Sequence, residues 1–225
     1  MGYSAFDNIP ANFNDYLISY TGGKVAEATE TAIWQGTASN GSFLGFQALL
    51  SASAVTTGST SVVAAGASSS TSNAGAISGS VTSTNVISKL DSIVSSVPTT
   101  VYGKQDLVIY VSTNVAKAYQ QATSGQTSAT SYGANGYNNQ FTIGEKPYNY
   151  NGIDLVLCPG LGANVMVAAQ KSNLFFGTGL LSDYNEVRVL DMANLDGSQN
   201  YRIIMRYTAG VQYGIGQDIV YYGAF

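Results

Sequence analysis

Between Glu30 and Lys89 the chain carries no charged side chain. A stretch of that length must be buried, span a membrane, stay unfolded, or lie against other protein. Gly, Ser and Thr interrupt every apolar run within it, so no window reaches the ~20 apolar residues of a membrane-spanning helix. The whole chain of 225 residues continues the pattern, with charged residues at 10% against roughly 25% in an ordinary soluble domain. Hydrophobic residues make up 45%, too many for disorder on composition grounds. The missing charge is replaced by Ser, Thr, Asn, Gly and 16 Tyr. Interface cores are depleted in charge, and Tyr offers wide contact area with a hydrogen-bonding tip. Such a surface resembles one that faces other protein; a secreted Ser/Thr-rich surface protein has a similar composition, so both readings stay open at this point.

The types of residue present narrow the chemistry further. There is no histidine, which removes Ser-His-Asp and Cys-His relays, the commonest general base and most zinc sites. The single cysteine, Cys158, permits no intrachain disulfide, and its Leu155-Val156-Leu157-Cys158 setting reads as a buried small hydrophobe. Net charge is −4, from 13 acidic and 9 basic residues. The one basic gathering, Arg188, Arg202 and Arg206, is interleaved with Glu186 and Asp191, a poor match to a phosphate-binding cluster. Glu27 and Glu30 share a helix flank with Lys24 as a charged patch. Asp191 and Asp196 flank a turn, where Asp is expected for backbone reasons, with a calcium site as the lesser reading. Gly160-Leu161-Gly162 lacks the Lys-Ser/Thr of a phosphate loop and the third glycine of a dinucleotide fingerprint. No catalytic, cofactor-binding or metal-ligating set is assigned. Nothing at the N-terminus has the order of a signal peptide.

Length allows one domain or two small ones. Phe13, Leu17, Tyr20, Val25, Ala28, Ala32 and Ile33 recur at helical spacing, predicting a helix from about residue 10 to Gly36. Gly22-Gly23 inside it implies a bend or a close packing contact, or else two shorter helices. Trp34 near its end is expected in a core or interface. Phe43–Leu50 predicts a short buried helix or turn, with β pieces near Val62-Val63 and Ile77. A second helix carries the stripe Val86, Ile87, Leu90, Ile93, Val94 and Val97, capped by Ser83 or Thr84 and ended by Pro98. A buried strand at 106–112 and a helix at 114–123 follow, then a surface loop at 124–140. Strands are expected at 153–158 and 164–169. The last third is β: 184–190 and 201–207 alternate around Asp196-Gly197, with Tyr201, Ile203, Met205 and Tyr207 on one face, and 218–222 closes the chain. Helix, strand, helix and more strands point to an α/β or α+β layer.

Two stretches carry a resemblance. One is Met1-Gly2-Tyr3-Ser4-Ala5-Phe6-Asp7 with Ile9-Pro10, leading into the helix that ends Glu30-Thr31-Ala32-Ile33-Trp34-Gln35-Gly36. The other runs Asn173-Leu174-Phe175-Phe176-Gly177-Thr178-Gly179, through Asp183-Tyr184-Asn185-Glu186-Val187-Arg188-Val189, to Ala209-Gly210-Val211-Gln212. Both resemble the major capsid proteins of tailed double-stranded-DNA bacteriophages, whose fold is the Hong Kong 97-like one. The resemblance implies a long spine helix, an axial domain of mixed sheet and helices at 45–178, and a peripheral domain made of residues 1–44 and a β-hairpin at 179–208. Residues 209–225 would then return to the axial domain. About ten residues precede the helix, so the family's N-terminal arm and extended loop are expected to be absent from this chain.

The implied function is structural, not enzymatic, and needs no cofactor: self-assembly into hexamers and pentamers of an icosahedral head. That head would enclose double-stranded DNA without sequence-specific contacts, in the virion, after assembly in the host cytoplasm. Decoration or cement, portal and scaffold proteins are the further partners, and no membrane is involved. Glu186, Arg188, Asp191, Arg202 and Arg206, with Trp34, Glu27 and Glu30, are the expected intersubunit residues; solvated hairpin charges are the alternative for the first five. A bacterial nanocompartment (encapsulin-like) shell protein and a β-rich surface adhesin are the rival functions.

Overall fold

The computed structural model describes residues 13–39, 42–54, 63–64, 79–123, 148–179, 187–192, 197, 200–205 and 208–223. The expected elements at Ile77 and 124–140 lie outside them, as do residues 1–12. The chain divides into two compact units, the first of Met1–Glu30 with Thr178–Ala209 and the second of Thr31–Gly177 with Gly210–Phe225.

The second unit is built on a mixed six-stranded sheet. Its strands are β1 (Val63–Ala64), β2 (Leu107–Val111), β3 (Tyr148–Tyr150), β4 (Ile153–Leu157), β5 (Met166–Gln170) and β10 (Val220–Tyr222), in the order β1-β10-β5-β2-β4-β3. β2 pairs parallel with β4 and antiparallel with β5. A parallel pair needs a crossover, and helix α4 (Thr113–Thr123) begins it directly after β2. The run Leu107-Val108-Ile109-Tyr110-Val111 is apolar at every position because the sheet is covered on both faces. Ile109 and Val111 of β2, Met166 and Ala168 of β5, and Val220 and Tyr222 of β10 face one core, under α4 and α3 (Val86–Ser96). The alternate residues Val167, Ala169 and Tyr221, with the half-buried Tyr110, face the other. Trp34, Phe46 and Leu50 fill that second core, from the end of α1 (Phe13–Gln35) and from α2 (Phe46–Ala54). Each fully buried Leu, Ile or Val contributes about 1.5–3 kcal/mol relative to exposure, so the period-two split of these strands fixes the sheet between two layers.

Helix α3 buries Val86, Leu90 and Ile93, and Val97 beyond its end. Its cap differs from expectation. Asn85, not Ser83 or Thr84, occupies the N-cap position; its Oδ1 accepts from the Thr82 N–H and its Nδ2 donates to the Ser80 carbonyl. These bonds tie the turn that precedes the helix, and the side chain makes no capping hydrogen bond to the first helical turn.

In the first unit α1 is one helix, not two, and it runs through Gly22-Gly23. A Cβ built on either glycine would meet nothing within 4 Å, so the close packing contact expected there is absent among the described residues. Strands β7 (Val187–Asp191) and β8 (Tyr201–Met205) form an antiparallel hairpin with Val187 opposite Met205 and Asp191 opposite Tyr201. Gly197 in the connection holds φ at +74°, the left-handed value that glycine adopts without cost. The alternation expected of β8 does not become a buried face: Tyr201, Arg202 and Met205 are exposed and Ile203 and Ile204 partly so.

Candidate assembly surfaces

The motif at the end of α1 turns out to be an anchor. Trp34 is 7% exposed, with ring centroids 5.5 Å from Phe46 and 5.3 Å from Tyr110. Gln35 donates from Nε2 to the Gly160 carbonyl at 2.7 Å, tying the helix end to the β4–β5 connection. At Gly36 the chain doubles back, and the Gly45 N–H donates to the Gly36 carbonyl at 2.8 Å. A Cβ on Gly36 would collide with the Phe43 and Ala32 carbonyl oxygens, and one on Gly45 with the Gly36 amide. Trp, Gln and Gly are each accounted for by intrachain packing, so Trp34, expected at an interface, has little ring left to offer a neighbour.

The charged residues singled out from sequence fall in different settings. Glu27 is exposed and accepts from Lys24 Nζ at 2.9 Å; that hydrogen bond and the ammonium charge hold its carboxyl below the usual range. Glu30 is partly buried on the same helix. Arg202 is exposed on β8. Arg188 and Asp191 lie within β7, while Glu186 and Arg206 fall outside the described residues. The register of the hairpin places positions 188, 190, 202 and 204 on one face and 187, 189, 191, 201, 203 and 205 on the other. Along the backbone Arg188 stands opposite Ile204, Leu190 opposite Arg202 and Asp191 opposite Tyr201. Among the described residues no cluster of three Asp, Glu, Cys or His could hold a metal ion, and no helix is long and apolar enough to cross a membrane.

Charge is unevenly divided between the units. The first, much the shorter, carries the acids Asp7, Asp15, Glu27, Glu30, Asp183, Glu186, Asp191 and Asp196 and the bases Lys24, Arg188, Arg202 and Arg206. The second, for all its greater length, carries five of each sign. Several charges of the second unit are engaged locally: Asp106 accepts from Ser172 Oγ and Gln170 Nε2, Asp91 from the Tyr150 hydroxyl, and Lys89 sits 5.7 Å from the Tyr222 ring centroid.

A second feature has no signature in the sequence, a set of exposed apolar side chains on ordered elements. In α1, Tyr16 and Tyr20 are 67% and 57% exposed and stack at 6.4 Å. A separate two-stranded ribbon joins β6 (Leu174–Thr178) to β9 (Ala209–Tyr213). On and beside it Phe175, Phe176 and Ile215 are 54%, 47% and 58% exposed. Apolar runs are read from sequence as core, so nothing short of the fold could separate these from buried positions.

No protein-family model and no curated protein matches the chain. Solved structures do. A chain of the structure described as "Capsid of empty GTA particle computed with C5 symmetry" superposes with a TM-score of 0.60 at 14% identity, over 97% of this chain and 69% of that one. A chain of Mycobacterium phage Che8 gives 0.52 at 14% identity, over 92% and 64%. The native GTA particle capsid gives 0.52 at 15% identity, over 97% and 68%. This chain thus spans between 64% and 69% of the length of these three. At such identities the likeness is one of fold: the α+β capsid fold expected from the two sequence stretches is the fold of this chain.

Proposed function

We propose that this chain is a major capsid protein, a structural and non-enzymatic component of a tailed-phage head. It assembles into hexamers and pentamers of an icosahedral shell around double-stranded DNA. The observation that carries the reading is the capsid fold itself, extending over 97% of the chain. The second unit corresponds to the axial domain and the first to the peripheral domain, with α1 as the spine helix. Rings of this kind close by heterologous contacts related by rotation. Arg202, exposed on β8, and Arg188 on β7 supply the basic residues of the hairpin's intersubunit contact. Glu27, Glu30, Asp191, Glu186 and Arg206 belong to the same peripheral contact. The head assembles in the host cytoplasm, with cement, portal or scaffold proteins as further partners, and holds its DNA without reading bases.

Electron microscopy of the purified full chain, or of the particles that contain it, tests this directly. Closed icosahedral shells or hexameric and pentameric rings are the expected result, with DNA inside the native particle. Shells that hold a protein cargo and no DNA would move the assignment to a nanocompartment, and a stable monomer at high concentration would reject the shell. Arg202→Gln is expected to lower shell yield at low ionic strength, where charges are least screened. It should leave the subunit's stability within about 0.5 kcal/mol of wild type, as for a surface substitution.

A further inference from the structure

We infer that the β6–β9 ribbon is an assembly element whose two faces are covered by copies of this chain. This rests on the shell reading above and adds to it the surface that makes the contact.

An isolated two-stranded ribbon is marginal in water. The base of this one is anchored, since Leu174, Val211 and Tyr213 pack against the second core. Beyond the base, side chains of successive residues point to opposite faces, and both Phe175 and Phe176 stand about half exposed. A strand bare on one face can be a stray surface hydrophobe; a strand bare on both, with a Phe on each, is unfinished on both sides.

The neighbouring turn is held rigidly in the same condition. Asn173 is buried; its Oδ1 accepts from the Ile215 N–H at 2.7 Å and its Nδ2 donates to the Ile215 carbonyl at 2.8 Å. Its own carbonyl accepts from the Gly214 N–H at 3.0 Å. Gly214 has no room for a side chain, because a Cβ there would lie 2.8 Å from Asn173 Oδ1 and 3.3 Å from the Phe175 ring. A buried amide thus uses both ends to fix the backbone of a residue that is left in solvent. Flexible exposure of an Ile would need none of this.

The occupant follows from charge. Lys171 is the only charged residue among 170–179, and residues 208–217 have none. A charged partner would lose hydration against this ribbon with no counter-charge to replace it. The second unit of this same chain, which includes most of the ribbon, carries only five acids and five bases along its whole length, so a second copy brings few charges to bury. In a closed ring every copy has a neighbour on each side, which accounts for two bare faces at once.

Hydroxyl-radical labelling read by mass spectrometry tests the two faces separately, comparing unassembled subunits with shells made from this chain alone. Labelling of Phe175, Phe176 and Ile215 is expected to fall several-fold on assembly. Phe175→Ser and Phe176→Ser are each expected to abolish shells while the subunit keeps its circular-dichroism spectrum. If wild-type shells form and either Phe stays labelled as in free subunits, the ribbon inference fails and the capsid reading stands. Protection seen only in particles carrying another protein would also overturn it, assigning the ribbon to that protein. Failure of wild type to form any ring or shell removes both. Should a Ser variant unfold, the wild-type labelling decides alone.

Discussion

Four glycines in and beside one helix should respond to alanine in opposite directions. At Gly36 a Cβ falls on the Phe43 and Ala32 carbonyl oxygens, where the chain doubles back and the Gly45 amide donates to the Gly36 carbonyl. Backbone cannot swing aside as a side chain can. Overpacking of this kind costs about 1–3 kcal/mol, and loss of the Gly45–Gly36 hydrogen bond adds about 0.5–1.5 kcal/mol. Gly36→Ala or Gly45→Ala should therefore cost about 2–4 kcal/mol, a large part of the roughly 5–15 kcal/mol that holds a domain folded. At about 2–4 °C per kcal/mol for a chain of this size, the midpoint should fall by about 4–16 °C. Gly22 and Gly23 lie in continuous helix with nothing within 4 Å of a built Cβ, so each alanine there should stabilise by up to about 1 kcal/mol. Thermal and urea unfolding of dilute, unassembled subunits reads both signs. A Gly36→Ala midpoint equal to wild type would refute the steric account of the helix-end motif. Stable Gly22→Ala/Gly23→Ala subunits that no longer assemble would place that stretch of α1 against another copy.

Trp34→Ala should destabilise the subunit by about 3–5 kcal/mol, the usual cost of emptying a large aromatic site; urea midpoints falling by less would mean the ring is not the core residue its contacts with Phe46 and Tyr110 imply. Burial pushes the Tyr221 hydroxyl up to about 12, partly offset by its hydrogen bond with Gln47. The unfolded chain loses that proton near pH 10 and the folded one near 12, so this contribution is intact below pH 10 and is lost as pH rises to 12. That separation corresponds to about 2–3 kcal/mol. Tyr221→Phe should flatten that part of the alkaline stability curve, and an unchanged slope between pH 10 and 12 would count against it. Asn173→Ala removes both bonds to Ile215 and should cost about 1–3 kcal/mol, with faster hydrogen exchange at the Ile215 amide as the specific sign.

What the sequence made legible was whatever rested on local periodicity or a strong apolar run. The stripe of α3 and the apolar runs Leu107–Val111 and Met166–Ala169 each announce a buried element from their own residues. Trp34 was placed at a core or an interface, and only the positions of Phe46 and Tyr110 decide between those. The role of Gly36 was hidden because its collision partners are carbonyls of residues 32 and 43, brought together by a reversal that no propensity records. The N-cap position of Asn85 is hidden for a similar reason: its side chain binds Ser80 and Thr82 in the preceding turn rather than the first turn of the helix, so no capping pattern marks it. Phe175-Phe176 was legible as part of a motif and misleading as a signal of burial, since an apolar residue awaiting a partner has the same letters as one already packed.

On the proposed shell reading, the division of charge would let a chain leave such residues bare and still be directed to one partner. A ring repeats every charge at the same radius, and two like charges about 8 Å apart at an effective dielectric of about 20 repel by about 2 kcal/mol. Within one subunit that term is absent; it appears only on assembly, once per neighbour, and so selects against charge on any surface that crowds the axis. The sparse charges of the second unit, several of them hydrogen-bonded locally, fit that pressure. The first unit, shorter yet carrying more charges, answers to a different one. Where contacts lie far from the axis, opposite charges can be paired across the seam and like charges kept apart, which supplies register and excludes wrong partners more than it adds affinity. An uncharged ribbon alone would stick to many apolar surfaces; in the proposed shell, a charged hairpin in the same chain would restrict it to the copy whose charges match.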